Sequence, residues 1–269
     1  MRLFDAHCHL QDARLAADIA AVLQRAERAE IAGLSCCGTE EADWDDVARL
    51  SRSHEAIHPS YGIHPWYLKD RAAGWRENLL RRLQADPGAG VGEIGLDHAI
   101  EPREDSDQTA AFKQQMEMAR ELRRPASIHC RRAWATLLDV LRNFGEFPAG
   151  FVVHSYSGSP ELVEALSPLG ARFSFSGSIT YAGNRRARKS LAVVPLDRLL
   201  IETDAPDIPP YPIRGQSSAG DPTPVNEPAN LVYVLRTVSE LTNEPQPRLA
   251  AILWENSIHI FGERDGKAG

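Results

Sequence analysis

The stretch Leu3-Phe4-Asp5-Ala6 is a short, largely apolar run near the start of the chain. A longer amphipathic segment follows it, and the apolar residues of that segment recur at helical spacing: Leu15, Ile19, Val22, Leu23 and Ala26. A short apolar run followed by an amphipathic helix is the pattern of one βα unit. The rest of the chain repeats this pattern.

Seven further short apolar runs alternate with segments that can form helices. They cover residues 33–36, 59–63, 90–94, 126–128, 150–153, 171–175 and 198–201. One helix is predicted over residues 105–123, with Ser106 or Asp107 as its cap and Pro125 after its end. A proline-rich stretch over residues 205–227 lacks periodicity and is interpreted as an ordered loop over the eighth strand. Eight βα repeats predict an α/β fold, a single (β/α)₈ TIM-type barrel over residues 1–269, and disfavour a doubly wound sheet.

The composition and the net charge of the chain argue against some classes of protein. The chain has 269 residues, 30 Lys+Arg against 37 Asp+Glu, and a formal net charge of −7. This acidic balance argues against a protein that coats nucleic acid through bulk charge. Four cysteines without a metal-ligand or disulfide spacing indicate a reducing compartment. With no signal-peptide or membrane-spanning pattern, we expect a cytoplasmic protein with no membrane association and no stable protein partner.

Polar residues follow the predicted strands, and several are metal-ligand types. They are His7 and His9, His64, Glu93, His129, His154 and Asp204. In a barrel of this type the carboxyl ends of the strands share one face, which carries the active site. His7 and His9 are two apart on an extended segment, so their rings point the same way. The same alternation turns Cys130 away from His129, which argues against Cys130 as a nucleophile.

This set exceeds what one catalytic zinc needs, because such a zinc takes three protein ligands and a water. The surplus predicts two divalent ions, for which Mg²⁺, Mn²⁺ and Zn²⁺ are all admissible. Two such ions need a shared anion between them, and Glu93 is the candidate bridge. Two alternatives remain at this stage: Glu93 as a salt-bridge partner, and Asp204 as a turn residue before Pro206.

Other groups suit an anionic substrate. His64 lies at the rim, and Arg131 directly follows the fifth strand, where a guanidinium could pair with a phosphate. Trp66 and Tyr156 could stack a terminal base, although packing at the barrel mouth explains them equally well. The basic run of residues 185–189 is either an anion grip or a solvated helix face. The remaining histidines lie on predicted helices or loops and have no ligand-spaced companion: His54, His58, His98 and His259.

Several motifs of the chain resemble those of the TatD family of metal-dependent hydrolases. They are Phe4-Asp5-Ala6-His7-Cys8-His9-Leu10, Gly92-Glu93-Ile94-Gly95-Leu96-Asp97, Ser127-Ile128-His129-Cys130-Arg131, His154-Ser155-Tyr156-Ser157-Gly158, Glu202-Thr203-Asp204-Ala205-Pro206 and Asn226-Glu227-Pro228. They occur in family order over nearly the whole chain. The resemblance implies a two-metal site and hydrolysis of nucleic-acid phosphodiesters, often by 3′→5′ exonuclease action on DNA ends.

The resemblance also implies how the ligands divide. His7, His9 and Asp204 would hold one ion, His129 and His154 the other, and Glu93 would bridge them. A metal-activated water would attack the phosphodiester, with Asp204 orienting it or taking its proton and with His64 and Arg131 holding the phosphate. Arg132 and His98 depart from the residues common in the family and change the substrate rim.

Two rival functions remain. The same barrel and ligands serve small-molecule amidohydrolases and lactonases, because fold does not fix substrate. Phosphotriesterase-type barrels bridge their metals with a modified lysine after the fourth strand, where this chain has Glu93. The second rival is a metal-binding protein without catalysis, which would need a closed ligand shell.

Overall fold

The computed structural model describes residues 1–215 and 223–262. Eight strands form one sheet in sequence order, each parallel to the next. Their bounds are β1 Leu3–Cys8, β2 Ile31–Cys37, β3 Ile57–Tyr61, β4 Gly90–Asp97, β5 Ala126–Arg131, β6 Phe151–Val153, β7 Ala171–Phe175 and β8 Leu199–Ile201. The predicted (β/α)₈ barrel is confirmed.

Helices follow the strands around the sheet. In the described residues they are α1 Ala13–Ala16, α2 Ile19–Arg28, α3 Trp44–Ser53, α4 Trp75–Ala85, α5 Asp105–Glu121, α6 Trp134–Phe144, α7 Pro160–Leu166, α8 Arg185–Leu191, α9 Tyr211–Arg214, α10 Leu231–Thr242 and α11 Gln246–Phe261. None of these helices combines the length and the apolar character needed to cross a bilayer.

The two ends of the sheet meet on the side where the strands finish. The Asp204 amide donates to the His7 carbonyl at 3.0 Å, and the His9 amide donates to the Ala205 carbonyl at 2.7 Å. Below them, the Thr203 amide donates to Asp5 Oδ1 at 2.9 Å. These bonds bring the residues after β1 and β8 side by side.

Several predicted boundaries were wrong. Helix α5 begins at Asp105 after Glu104, with no side-chain cap, so neither Ser106 nor Asp107 is its cap. Strand β4 continues to Asp97, which places Glu93 inside the strand rather than at its end. His58 lies on β3, not on a helix or loop.

The proline-rich stretch contains the short helix α9, while residues 216–222 lie outside the described residues. Near its end, the Asn226 amide group donates to the Thr203 carbonyl at 2.9 Å and to the Asp207 carbonyl at 2.9 Å. The end of this stretch is therefore fastened directly to the chain that follows β8.

Candidate metal centre

Glu93 stands at the centre of the predicted ligands, and its two oxygens face different histidines. Oε2 lies 3.2 Å from His7 Nε2 and 3.3 Å from His9 Nε2. Oε1 lies 3.0 Å from His129 Nδ1 and 2.8 Å from His154 Nε2. One carboxylate thus separates two pairs of imidazoles, which are contributed by β1, by β5 and by the residues directly after β1 and β6.

Asp204 joins the first pair. Its Oδ1 lies 3.9 Å from His7 Nε2 and 3.7 Å from His9 Nε2. The backbone of Asp204 is left-handed, with φ of 58°, a conformation that aspartate adopts more readily than most residues. This turn, together with the hydrogen bond to the His7 carbonyl, directs the carboxylate towards the β1 histidines.

The described residues contain four groups of three side chains whose ligand atoms lie within 4.8 Å of one another. The groups are His7, His9 and Asp204; His7, Glu93 and His154; His64, Glu93 and His129; and His154, Glu202 and Asp204. Mixed imidazole and carboxylate donors suit divalent cations such as Zn²⁺ and Mn²⁺. The donor set therefore fits a divalent metal centre.

Four of the histidines have a polar group on their other ring nitrogen. The pairs are His7 Nδ1 with Ser127 Oγ at 2.9 Å, His9 Nδ1 with the Cys37 carbonyl at 2.8 Å, His129 Nε2 with Asp97 Oδ2 at 3.1 Å, and His154 Nδ1 with Glu202 Oε1 at 3.4 Å. Such outer partners are typical of metal-binding histidines, because they fix the tautomer and the orientation of the ring.

His64 differs from these four. Its Nδ1 accepts a hydrogen bond from the Trp66 amide at 3.1 Å, so a neutral ring carries its proton on Nε2. That Nε2 lies 3.3 Å from Glu93 Oε1, inside the cluster. His64 therefore presents an N–H donor to the site, which suits a substrate oxygen better than a metal ion.

The electrostatics of the cluster reflect burial and close charge pairs. Burial lowers the pKa of His7 and of His64 to about 4. Burial also opposes charge on His9, but the Glu93 hydrogen bond and charge raise its pKa to about 9. Burial would raise the pKa of Glu93, which is 3% exposed, yet the charges of His154, His64 and His7 hold it well below its usual value.

Asp204 behaves differently from Glu93. Burial raises the pKa of Asp204 to about 6, and the negative charge of Glu202 acts in the same direction. The nearby His154 opposes this shift. The site thus combines one strongly ionised carboxylate with one that binds a proton more readily.

Sequence reasoning did not assign roles to Asp97 and Glu202. Asp97 is fully buried, and its Oδ2 accepts the Trp66 indole N–H at 2.8 Å beside His129. Glu202 Oε1 accepts the Ser155 amide at 2.7 Å and faces His154. Asp97 could have been found, because alternation places it on the same face of β4 as Glu93.

The residues predicted to contact substrate at the rim differ in how far their side chains are exposed. Trp66 is 48% exposed, with its ring edge-on to His64 at 4.9 Å between centroids. Arg131 is exposed where β5 ends. The prediction that Tyr156 stacks a base is wrong, because the side chain is 1% exposed and packs against Phe173.

The structure also bears on the predictions made for the basic run of residues 185–189 and for Cys130. In the basic run, Arg185 and Arg186 are exposed, whereas Arg188 donates to the Ile179 and Thr180 carbonyls. Cys130 is buried, and burial raises the pKa of its thiol, which keeps it protonated. Cys130 therefore lacks the thiolate character of a nucleophile.

Comparison with known proteins identifies the family. A family model described as "TatD related DNase" matches residues 4–262. The chain belongs to the TatD family. Among similar TatD-family proteins is the uncharacterized metal-dependent hydrolase YjjV of Escherichia coli K12, 30% identical over 262 residues that cover 97% of this chain and 98% of that protein.

The crystal structure of YjjV, a TatD homologue, matches with a TM-score of 0.90, covering 97% of this chain and 98% of that one. A protein of Pantoea vagans named "3′-5′ ssDNA/RNA exonuclease TatD" is 30% identical over 263 residues, covering 96% and 99% of the two chains. The present chain is thus a TatD-type metal-dependent hydrolase.

Proposed function

We propose that the protein is a nuclease that removes nucleotides from the 3′ ends of nucleic acids by phosphodiester hydrolysis. The observation that carries the proposal is the position of Glu93, whose two oxygens face two separate pairs of histidines. This geometry suits a carboxylate bridge between two divalent ions, Mg²⁺, Mn²⁺ or Zn²⁺. Paired ions of this kind are common in nucleases and phosphatases.

The substrate class is supported by similarity. The Pantoea vagans relative is named as an exonuclease on single-stranded DNA and RNA. The family model carries the description of a DNase. Those descriptions belong to other proteins, and we transfer the activity to this chain because all six predicted ligands lie in one cluster.

Divalent ions bound at the cluster would activate a water and neutralise charge on the phosphate. His7, His9 and Asp204 would hold one ion, and His129 and His154 the other. The free oxygen of Asp204 can orient the attacking water and accept its proton. Glu93 remains ionised throughout, as its five histidine contacts favour.

The rim residues position the substrate. His64 donates from Nε2 to a phosphate oxygen, and exposed Arg131 pairs with the same phosphate. The exposed ring of Trp66 offers a stacking face to the terminal base. No comparable aromatic role is left for the buried Tyr156.

The decisive experiment uses single- and double-stranded DNA and single-stranded RNA, labelled at either end, with each metal in turn. We expect the 3′ label to be released with the first nucleotide removed, and the 5′-labelled strand to shorten stepwise while it keeps its label. Asp204→Asn should lower kcat at least about 100-fold, as expected for loss of a proton acceptor. The matched control is Asp207→Asn, because Asp207 is an exposed carboxylate on the same segment that pairs with Arg14.

Two outcomes would contradict the proposal. Cleavage of small esters, lactones or amides without cleavage of any nucleic acid would move the protein to the small-molecule amidohydrolases. A metal-loaded structure with closed ligand shells and no exchangeable water would indicate metal binding without catalysis.

A further inference from the structure

A second cavity, of about 540 Å³, lies at the opposite end of the barrel from the metal centre. Its lining comes from the segments that precede β4 to β8 and from the end of α11. Because parallel strands all begin at one end, this cavity is separated from Glu93 by much of the barrel. Four arginines line it: Arg123, Arg124, Arg172 and Arg198.

Eight arginines of the described residues pair with a carboxylate, and the four that line the cavity are not among them. Within residues 1–215 and 223–262, none of the four forms an ion pair. By contrast, Arg14, Arg25 and Arg71 each pair with an aspartate or glutamate. In a chain of net charge −7, four guanidinium groups without a carboxylate partner among the described residues concentrate positive charge around one cavity.

Two of the guanidinium groups are also missing a hydrogen-bond acceptor. The Nε atoms of Arg124 and Arg172 are buried and have no partner among the described residues. Burial and the nearby Arg198 lower the pKa of Arg172, while Asp197 acts in the opposite direction. Buried donors without acceptors carry an energetic cost that a bound anion would remove.

The cavity also has an apolar wall. Phe147, Pro148, Ile260 and Phe261 line it together with the arginines. Guanidinium groups match the oxygens of phosphate in a forked geometry. A phosphate monoester carries about two negative charges and three acceptor oxygens, more than a single carboxylate offers to four arginines.

We propose that this cavity binds a small organic phosphate monoester, with its phosphate on the arginines and its apolar body against the phenylalanines. The site is separate from the metal centre and does not depend on the proposed nuclease activity. Because the cavity lies at the starts of β5, β7 and β8, such a ligand would stabilise the end of the barrel at which the strands begin.

The test is isothermal titration calorimetry of phenyl phosphate into the metal-loaded full chain. We expect Arg124→Gln and Arg172→Gln each to weaken binding about tenfold, as for loss of a charged hydrogen bond. The matched control, Arg28→Gln, removes an exposed arginine at the end of α2, on the same end of the barrel. Binding to the metal centre would be common to all variants, so only the difference between them reports this cavity.

Two further ligands define what the cavity recognises. Inorganic phosphate should bind about tenfold more weakly than phenyl phosphate, because it has no apolar body to bury. Benzoate, which keeps the ring but has one charge, should also bind more weakly. Equal or tighter binding of either ligand would overturn the assignment, as would equal affinity in the wild type, Arg124→Gln and Arg172→Gln.

Two controls are needed. One checks that each variant folds, and the other tests whether the chain's own last residues occupy the cavity. Circular dichroism melting checks that each variant folds, and Arg123→Gln, at an exposed residue, tests the site even if Arg172→Gln does not fold. Glu263 and Asp265 follow directly after the cavity-lining Gly262 and lie outside the described residues. The pair of changes Glu263→Gln and Asp265→Asn should leave affinity within about twofold; tightening beyond about tenfold would identify the chain's own end as the occupant and overturn the proposal.

Discussion

At the residue scale, Glu93 contacts imidazoles from both halves of the metal centre. Replacing it with glutamine keeps the shape and removes the charge between the two proposed ions. We expect Glu93→Gln to lose at least one bound ion per chain, because two cations need a shared anion. Metal analysis by mass spectrometry measures the stoichiometry.

The control for that change is Glu117→Gln, at an exposed residue of α5. It should bind as many ions as the wild type. If Glu93→Gln binds as many ions per chain as the wild type, Glu93 does not bridge two ions.

Trp66 supports a second residue-scale prediction. Its indole N–H is bonded to Asp97, so the ring is held with one face exposed. We expect Trp66→Ala to raise KM for a single-stranded oligonucleotide about tenfold, since stacking contributes roughly 1–3 kcal/mol per base. Trp66→Phe should recover most of this loss, whereas equal KM in all three proteins would show that the ring does not contact substrate.

The comparison of Trp66 with Tyr156 shows the limit of sequence reasoning at single residues. Both aromatics lie beside site residues in the sequence, and packing was an open alternative for both. The exposure of each ring depends on which neighbours cover it. Phe173 and Trp134 cover Tyr156, and they come from other βα units. Such contacts are set by tertiary packing, which neighbouring residues in the sequence do not reveal.

At the element scale, the pairing of β4 with β5 depends on Gly95. Gly95 has φ of 149° and lies opposite His129 in the register of these strands. A Cβ at this position would lie 2.0 Å from the His129 carbonyl oxygen. We expect Gly95→Ala to reduce the free energy of unfolding by about 3 kcal/mol and to displace His129.

Chemical denaturation and metal analysis measure these two effects. Gly183→Ala is the matched control, because a Cβ there meets nothing within 4 Å. It should change neither stability nor metal content. If Gly95→Ala unfolds at the same denaturant concentration as the wild type, the pairing of β4 with β5 does not depend on Gly95.

The elements were predictable where periodicity is strong and less so at their ends. Strand β7 matches the predicted residues 171–175. Strands β4 and β5 run further than predicted, because Leu96 and Cys130 continue the ladder beyond the first polar side chain. The cap of α5 was wrong because three acidic residues, Glu104, Asp105 and Asp107, lie close together, and local sequence does not decide which one begins the helix.

At the scale of the whole molecule, the net charge of −7 opposes binding of long nucleic acids. Arg131, Arg132 and the exposed Arg185 and Arg186 offer compensating charge on segments at the ends of β5 and β7. With about two or three phosphates contacted on a single strand, log K should fall against log salt with a slope near −2, at roughly −0.7 per contact.

Fluorescence anisotropy of a labelled oligonucleotide across a salt series measures this slope. The Arg131→Gln variant should reduce it by about 0.7, corresponding to one lost contact. A slope steeper than about −5 would require an extended basic track and would rule out binding of a short end.

The barrel itself was predictable from the sequence, because eight repeats of a strand followed by a helix are compatible with few other folds. The convergence of ligands from strands far apart in the sequence followed from the barrel. The arginine-lined cavity could not be foreseen, because its arginines come from three segments far apart in the sequence: the loop before β5, the start of β7 and the residue before β8. Only the shared starting edge of the strands brings them together.

The meeting of the two ends of the sheet affects when the metal centre can be completed during synthesis. Asp5 and Thr203 are hydrogen-bonded although they lie 198 positions apart. Asp204, the next residue after Thr203, places its carboxylate near His7 and His9. A ribosome-bound fragment that stops before β8 has the first histidines but not the aspartate. In a newly made chain the metal centre therefore cannot be complete until β8 and the residues that follow it have been synthesised.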